Sequence, residues 1–192
     1  MSNATKSILL AGVGGQGILR ASDILSQVMI EAGYDVKKSE VHGMAQRGGC
    51  VTSHVRYGKK VYSPIAKKAD VDILLSFEKL ETLRYLNFLK TNGTIIINNT
   101  EIYPPSVNLG KSEYPLNIVE EVTRYFADVK VINAAEIAHQ TGNMRTVNIA
   151  MLGALSVKLD INGKIWENVL RITFPEKVFK ENLDAFNLGR NA

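Results

Sequence analysis

Cysteine is almost missing from this chain: Cys50 is the only one in 192 residues. A single thiol excludes an intrachain disulfide, and also a cysteine-ligated iron–sulfur cluster held by this chain alone. Long apolar runs are missing too. Nothing approaches the ~20 consecutive apolar residues that span a bilayer. The polar opening "MSNATK" and the short "SILLAGVGG" after it do not make a secretory leader. There is no long basic run either, since the lysines come in scattered pairs (Lys37-Lys38, Lys59-Lys60, Lys67-Lys68) under a formal net charge of +4. Nucleic acid and membrane are therefore not expected partners. With 45% hydrophobic and 22% charged residues, the composition is that of one globular domain over 1–192, expected in the cytoplasm.

What is present alternates between two periods. "SILLAG" is a short apolar run that reads as a buried strand. "ILRASDILSQVMIEAG" spaces Ile18, Ala21, Ile24, Leu25, Val28 and Met29 as one face of a helix, with Gly33 where a C-terminal cap belongs. "YDVKKSEV" follows as a strand, so the first forty residues read as a βαβ unit. "CVTSHVRYG" and "KKVYSPI" alternate apolar and polar and read as one antiparallel pair. Strands are next expected at "VDILLSF", "GTIIINN" and "VKVINA". Helices are expected at "EKLETLRYLNFL", "IVEEVTRYFA", "AEIAHQTG", "NIAMLGALSVKL" and "PEKVFKENLDAFNLGRN". The proline-bearing 100–117 reads as irregular. Together these give a three-layer α/β/α fold with a mixed, mostly parallel sheet and a Rossmann-like start.

Two glycine stretches carry the chemistry. In "AGVGGQG", Gly12, Gly14 and Gly17 fit G-x-G-x-x-G between a strand and a helix. Such glycines permit a tight turn, expected at Gly14 with a left-handed backbone, and a close approach of a ligand to the helix N-terminus. Close strand–helix packing would use the same glycines. A dinucleotide site also wants an acid at the end of the second strand. Asp35 is early in that strand and Glu40 sits at its end, with Lys37-Lys38 near a ribose phosphate in an NAD(P)-binding reading. The second stretch, "VHGMAQRGG" over 41–49, has no apolar period at all.

The residues "GVGGQGI", "SEVHGMAQRGGCVTSHVRYG", "VYSPIAKKADVDILLSFEKLETLRYL" and "NMRTVNIAMLGALS" together resemble the gamma-type subunit of 2-oxoacid:ferredoxin oxidoreductases, most closely the indolepyruvate type. That family typically shows a strand ending in a glutamate that opens a helix. The resemblance implies a complex that oxidatively decarboxylates a 2-oxoacid, passes the acyl group to coenzyme A and reduces ferredoxin. Pyruvate, 2-oxoisovalerate and 2-oxoglutarate are the alternative substrates. A stand-alone NAD(P)-binding protein and a ligand-free scaffold are the other readings.

Thiamine-binding chains show G-D-G followed by N-N. Here Asn98-Asn99 stands without any G-D-G, and the pair reads as a strand end and turn. Thiamine diphosphate, magnesium and the iron–sulfur clusters are thus expected in partner subunits, with coenzyme A as co-substrate and this chain inactive alone. Residues 41–49 are then expected to line a site shared with those partners. Arg47 is the first candidate for a catalytic group, its fork suited to a phosphate or carboxylate, or else to an ion pair at a subunit contact. His42 and Glu40 are candidates beside it. Gly12, Gly14, Gly15, Gln16, Gly17, Gln46, Gly48 and Gly49 are candidate cofactor-binding positions, and no metal ligand is expected. His54 and Cys50 read as structural. Arg145 either reaches an anion or a partner, or packs ahead of a buried helix.

Overall fold

The computed structural model describes residues 5–42 and 49–192. Six strands form one sheet: β1 (Lys6–Val13), β2 (Asp35–His42), β3 (Cys50–Gly58), β4 (Val71–Ser76), β5 (Leu89–Asn98) and β6 (Val129–Ile132). Their order is β2-β3-β1-β4-β5-β6. β1, β4, β5 and β6 run parallel, while β3 lies antiparallel to both β1 and β2. The mixed, mostly parallel sheet is as expected, but its antiparallel part is built differently. "KKVYSPI" is not a strand. β3 takes its partners from β1 and β2 instead, and so splits the expected βαβ unit by entering between its two strands.

Helices α1 (Ile18–Glu31), α2 (Lys79–Tyr85), α3 (Pro105–Asn108), α4 (Ile118–Tyr125), α5 (Ala134–Gln140), α6 (Val147–Ser156), α7 (Gly163–Thr173) and α8 (Glu176–Asn191) complete the fold. The apolar stripe read for α1 is the face it buries: Ile18, Ala21, Ile24, Leu25, Val28 and Met29 are all within the core. α7 was not expected, although Asn162 caps it through Lys164 N and Trp166, Val169 and Leu170 form its buried face. α2 is shorter than its apolar pattern, giving way to a 3-10 turn at Leu86–Phe88.

The two-residue period of the strands divides the core into two layers. Ile8, Leu10, Ile73, Leu75 and Ile96 pack with α1 and α5 to α8. Leu9, Ala11, Leu74, Ile95 and Ile97 point to the other side, toward α2 and α4. α1 and α2 follow the neighbouring strands β1 and β4 yet pack on opposite faces. A crevice therefore opens at the carboxyl ends of these strands, where open α/β sheets bind ligands.

Candidate functional site

The glycine loop fills that crevice. Val13 N donates to Gln16 Oε1 (2.7 Å), and Gln16 Nε2 donates to Phe77 O (2.8 Å), so one side-chain amide ties the end of β1 to the end of β4. Gly12 is held by close approach: a Cβ there would meet Gln16 Oε1 at 2.7 Å, Phe77 Cβ at 2.8 Å and Ile18 Cδ1 at 2.9 Å. The left-handed backbone falls at Gly15 (φ 102°) and Gly17 (φ 76°), not at Gly14 where it was expected. Gly17 is the N-cap of α1, with no side-chain cap and no acidic residue in the first turn. The first N–H groups of that helix are thus left facing the crevice.

Beside the loop lies a cavity of about 560 Å³ lined by Gly15, Gln16, Gly17, Asn98, Thr100 and Asn148, together with Met144, Arg145 and the start of α6. The buried Asn148 donates to Gly17 O (3.2 Å), joining α6 to the loop. Arg145 is exposed and has no ion-pair partner among the described residues. Exposure weighs against the packing role read for it. Asn98 is structural as read: it donates to Phe77 O (3.2 Å) and Thr100 Oγ1 (3.0 Å) and accepts from Ala134 N (3.2 Å). Arg145 was weighed as an anion or partner contact, whereas Thr100 and Asn148 were not among the expected site residues. They come from segments 80 or more positions from the loop in sequence, and no local pattern marks them.

The two glycine stretches do meet. Gly14 N donates to Gly49 O at 2.9 Å. Gln46, Arg47 and Gly48 lie outside the described residues, and His42 is placed only by its backbone, at the end of β2 opposite Val51. Glu40 receives Lys38 Nζ at 2.6 Å on the same strand face. Because β3 intervenes, β2 is two strand spacings from β1, about 9–10 Å rather than about 5 Å. The acid that a dinucleotide fold places near the ribose is displaced by a whole strand, which weighs against the NAD(P) reading.

On the opposite side of the sheet, Cys50 is within 2.8 Å of Tyr85 Oη. Burial pushes its thiol up to about 11, so little thiolate forms near neutrality. Metals and clusters are ligated by thiolate, so this lone, protonated sulfur does not fit an iron–sulfur cluster. Nearby, burial also raises the Glu81 carboxyl, with Arg84 at 2.9 Å opposing that shift. His54, buried beside Phe88, has its pKa lowered by burial and accepts from Ala66 N (3.4 Å), a structural role.

A family model described as pyruvate ferredoxin/flavodoxin oxidoreductase matches residues 7–192. The chain is 38% identical to an indolepyruvate oxidoreductase subunit from Thermococcus kodakarensis, over 97% of this chain and 95% of that one. It is 26% identical to the common gamma subunit of pyruvate and ketoisovalerate oxidoreductases from Pyrococcus abyssi, over 91% of this chain and 89% of that one. The fold is that of a keto/oxoacid ferredoxin oxidoreductase gamma subunit from Geobacter sulfurreducens (TM-score 0.71, 23% identity, 97% of this chain and 96% of that one). It also matches part of a 2-oxoglutarate:ferredoxin oxidoreductase from Magnetococcus marinus (TM-score 0.77, 21% identity, 99% of this chain). The match spans 31% of that longer chain.

Proposed function

The chain belongs to the pyruvate ferredoxin/flavodoxin oxidoreductase family, and we propose that it is the gamma-type subunit, one domain over 1–192, of a complex that oxidises indolepyruvate. The complex as a whole takes a 2-oxoacid, coenzyme A and two oxidised ferredoxins to the acyl thioester, carbon dioxide, two reduced ferredoxins and a proton. The observation that carries the substrate is the fall in identity from 38% for the indolepyruvate relative to 26% for the pyruvate and ketoisovalerate one. Thiamine diphosphate, held by a partner chain, supplies the carbanion chemistry, and partner-held clusters supply the electron path. No helix among the described residues is long and apolar enough to cross a membrane, and we place the complex in the cytoplasm.

This chain's own contribution is to hold an anion. The free N–H groups at the start of α1, the close backbone approach allowed at Gly15 and Gly17, and the Arg145 guanidinium converge on one cavity. A phosphate of coenzyme A suits that set. Arg47, with His42 and Glu40, keeps its proposed role toward a phosphate or carboxylate, and Gln46, Gly48 and Gly49 stay proposed cofactor-binding positions.

Reconstituted with its partners, the enzyme is expected to turn over indolepyruvate and phenylpyruvate well above pyruvate and 2-oxoglutarate, and the chain alone is expected to show no 2-oxoacid-dependent dye reduction. A clear preference for a small 2-oxoacid would reject the substrate. Arg145→Ala should remove a charged hydrogen bond worth ~1.5–3 kcal/mol, read as a ten- to hundredfold rise in the Michaelis constant for coenzyme A. An unchanged constant would take Arg145 out of the site.

A further inference from the structure

At the far end of the sheet from the glycine loop, the segment "KKVYSPIAKK" (59–68) is pinned in place with Tyr62 and Ile65 facing solvent. Arg56 does the pinning. Its guanidinium donates to Ser63 O (3.3 Å) and Ile65 O (3.2 Å), pairs with Asp70 (3.1 Å), and donates to Ser7 Oγ (3.0 Å). Asp35 accepts from Val61 N at 2.8 Å, and Val61 and Ala66 are buried as anchors. Between those anchors Tyr62 is 90% exposed and Ile65 is 54% exposed. Helix α2 packs over β1, β4 and β5 on this side and reaches the start of β3 through Tyr85 at Cys50, while this segment covers β3 nearer its end, at His54 and Arg56.

The charge is as uneven as the packing. Lys59, Lys60, Lys67 and Lys68 are exposed, and none has a carboxylate within ion-pair distance among the described residues. These four lysines equal the whole formal net charge of +4, so the rest of the chain is balanced. An ordered tyrosine and isoleucine ringed by unneutralised lysines have the anatomy of an interface centre with a charged rim.

We infer that this surface docks a partner subunit of the complex, one presenting an apolar pocket for Tyr62 and Ile65 with carboxylates around it. The inference rests on the subunit reading above. Because the surface lies opposite the glycine-loop end, it serves assembly and leaves the anion site open.

The test uses the chain with its co-expressed partner subunits. Tyr62→Ala with Ile65→Ala is expected to weaken subunit affinity about 30-fold or more. Lys59→Glu, Lys60→Glu, Lys67→Glu and Lys68→Glu together should slow association about tenfold at low salt and flatten its salt dependence. All these side chains are exposed, so thermal unfolding of the variants should match the unaltered chain, and turnover per assembled complex should hold. Unchanged affinity in both variants would overturn the proposal. So would binding to phosphatidylserine vesicles that the lysine reversals abolish while subunit assembly stays intact. Failure of the unaltered chain to bind its partners would instead remove the subunit reading itself, and this proposal with it.

Discussion

Gly153→Ala is expected to lower the unfolding temperature by about 5–15 °C. On local grounds the substitution should help, since alanine is favoured over glycine inside a helix by roughly 0.5–1 kcal/mol. Packing decides otherwise. A Cβ at Gly153 would collide with the Phe186 carbonyl oxygen and sit 2.9 Å from Arg190 N. From the other side, a Cβ at Gly189 would collide with the Ala150 carbonyl oxygen and sit 2.7 Å from its carbon. These obstacles are backbone atoms of α6 and α8, so no rotamer change relieves them. The helices must separate, which opens a layer containing Ile149, Leu152, Ala185 and Phe186. Overpacking costs ~1–3 kcal/mol in an ordinary core, and each methylene returned to water adds ~0.8 kcal/mol. A net loss of ~2–4 kcal/mol follows, outweighing the gain in propensity. Gly163 at the start of α7 meets nothing within 4 Å and is the internal control, with Gly163→Ala near neutral. Equal melting of Gly153→Ala and the unaltered protein would show that α6 and α8 do not touch through these glycines.

That pair of glycines also marks the limit of what the sequence displays. Residue period is local, so it exposed α1 down to its six buried apolar positions and placed β1, β4, β5, β6 and α6. α7 carried the same kind of signal, with Trp166, Val169 and Leu170 on one face behind an asparagine cap, and could have been read. Strand order is a different matter. That β3 would enter between β1 and β2 is settled by long-range register, Val13 against Cys50 and His42 against Val51, and no window of sequence contains it. "KKVYSPI" has the alternation of a strand, but its carbonyls at Ser63 and Ile65 are taken by Arg56. The glycine loop was legible because its spacing is compact. Its cavity was not, since Thr100 and Asn148 reach it only through the fold, although Arg145 had been weighed as an anion contact.

Glu78 gives the last of the large effects. It is fully buried where β4 ends and α2 begins, and its carboxylate accepts from Glu81 N (2.9 Å), Ile102 N (3.1 Å) and Tyr114 Oη. One side chain thus caps α2 and fastens the irregular stretch after β5 onto it. Burial, with the bond to Glu78 behind it, pushes the Tyr114 hydroxyl well above its usual range, so the tyrosine stays the donor. Glu78→Ala strands the buried N–H of Glu81 and the part-buried donors Ile102 N and Tyr114 Oη. Hydrogen bonds to a charged group are worth ~1.5–3 kcal/mol each and do not sum, so a loss on the order of 3–5 kcal/mol is expected. Glu78→Gln keeps the volume and can still satisfy Ile102 N and Tyr114 Oη, but it turns an N–H toward the N–H of Glu81. Its loss should fall between the alanine variant and the unaltered protein, and Tyr114→Phe, which removes a single donor, should cost least. Function is tied to the same residue by its neighbour, for Phe77 O accepts from both Gln16 and Asn98 at the floor of the glycine-loop cavity. Loosening the turn at Glu78 should therefore weaken coenzyme A binding in the assembled complex as well as lower the melting temperature. The decisive comparison is Glu78→Gln: if it melts like the unaltered protein and binds coenzyme A equally well, the buried carboxylate is not what holds this end of the sheet.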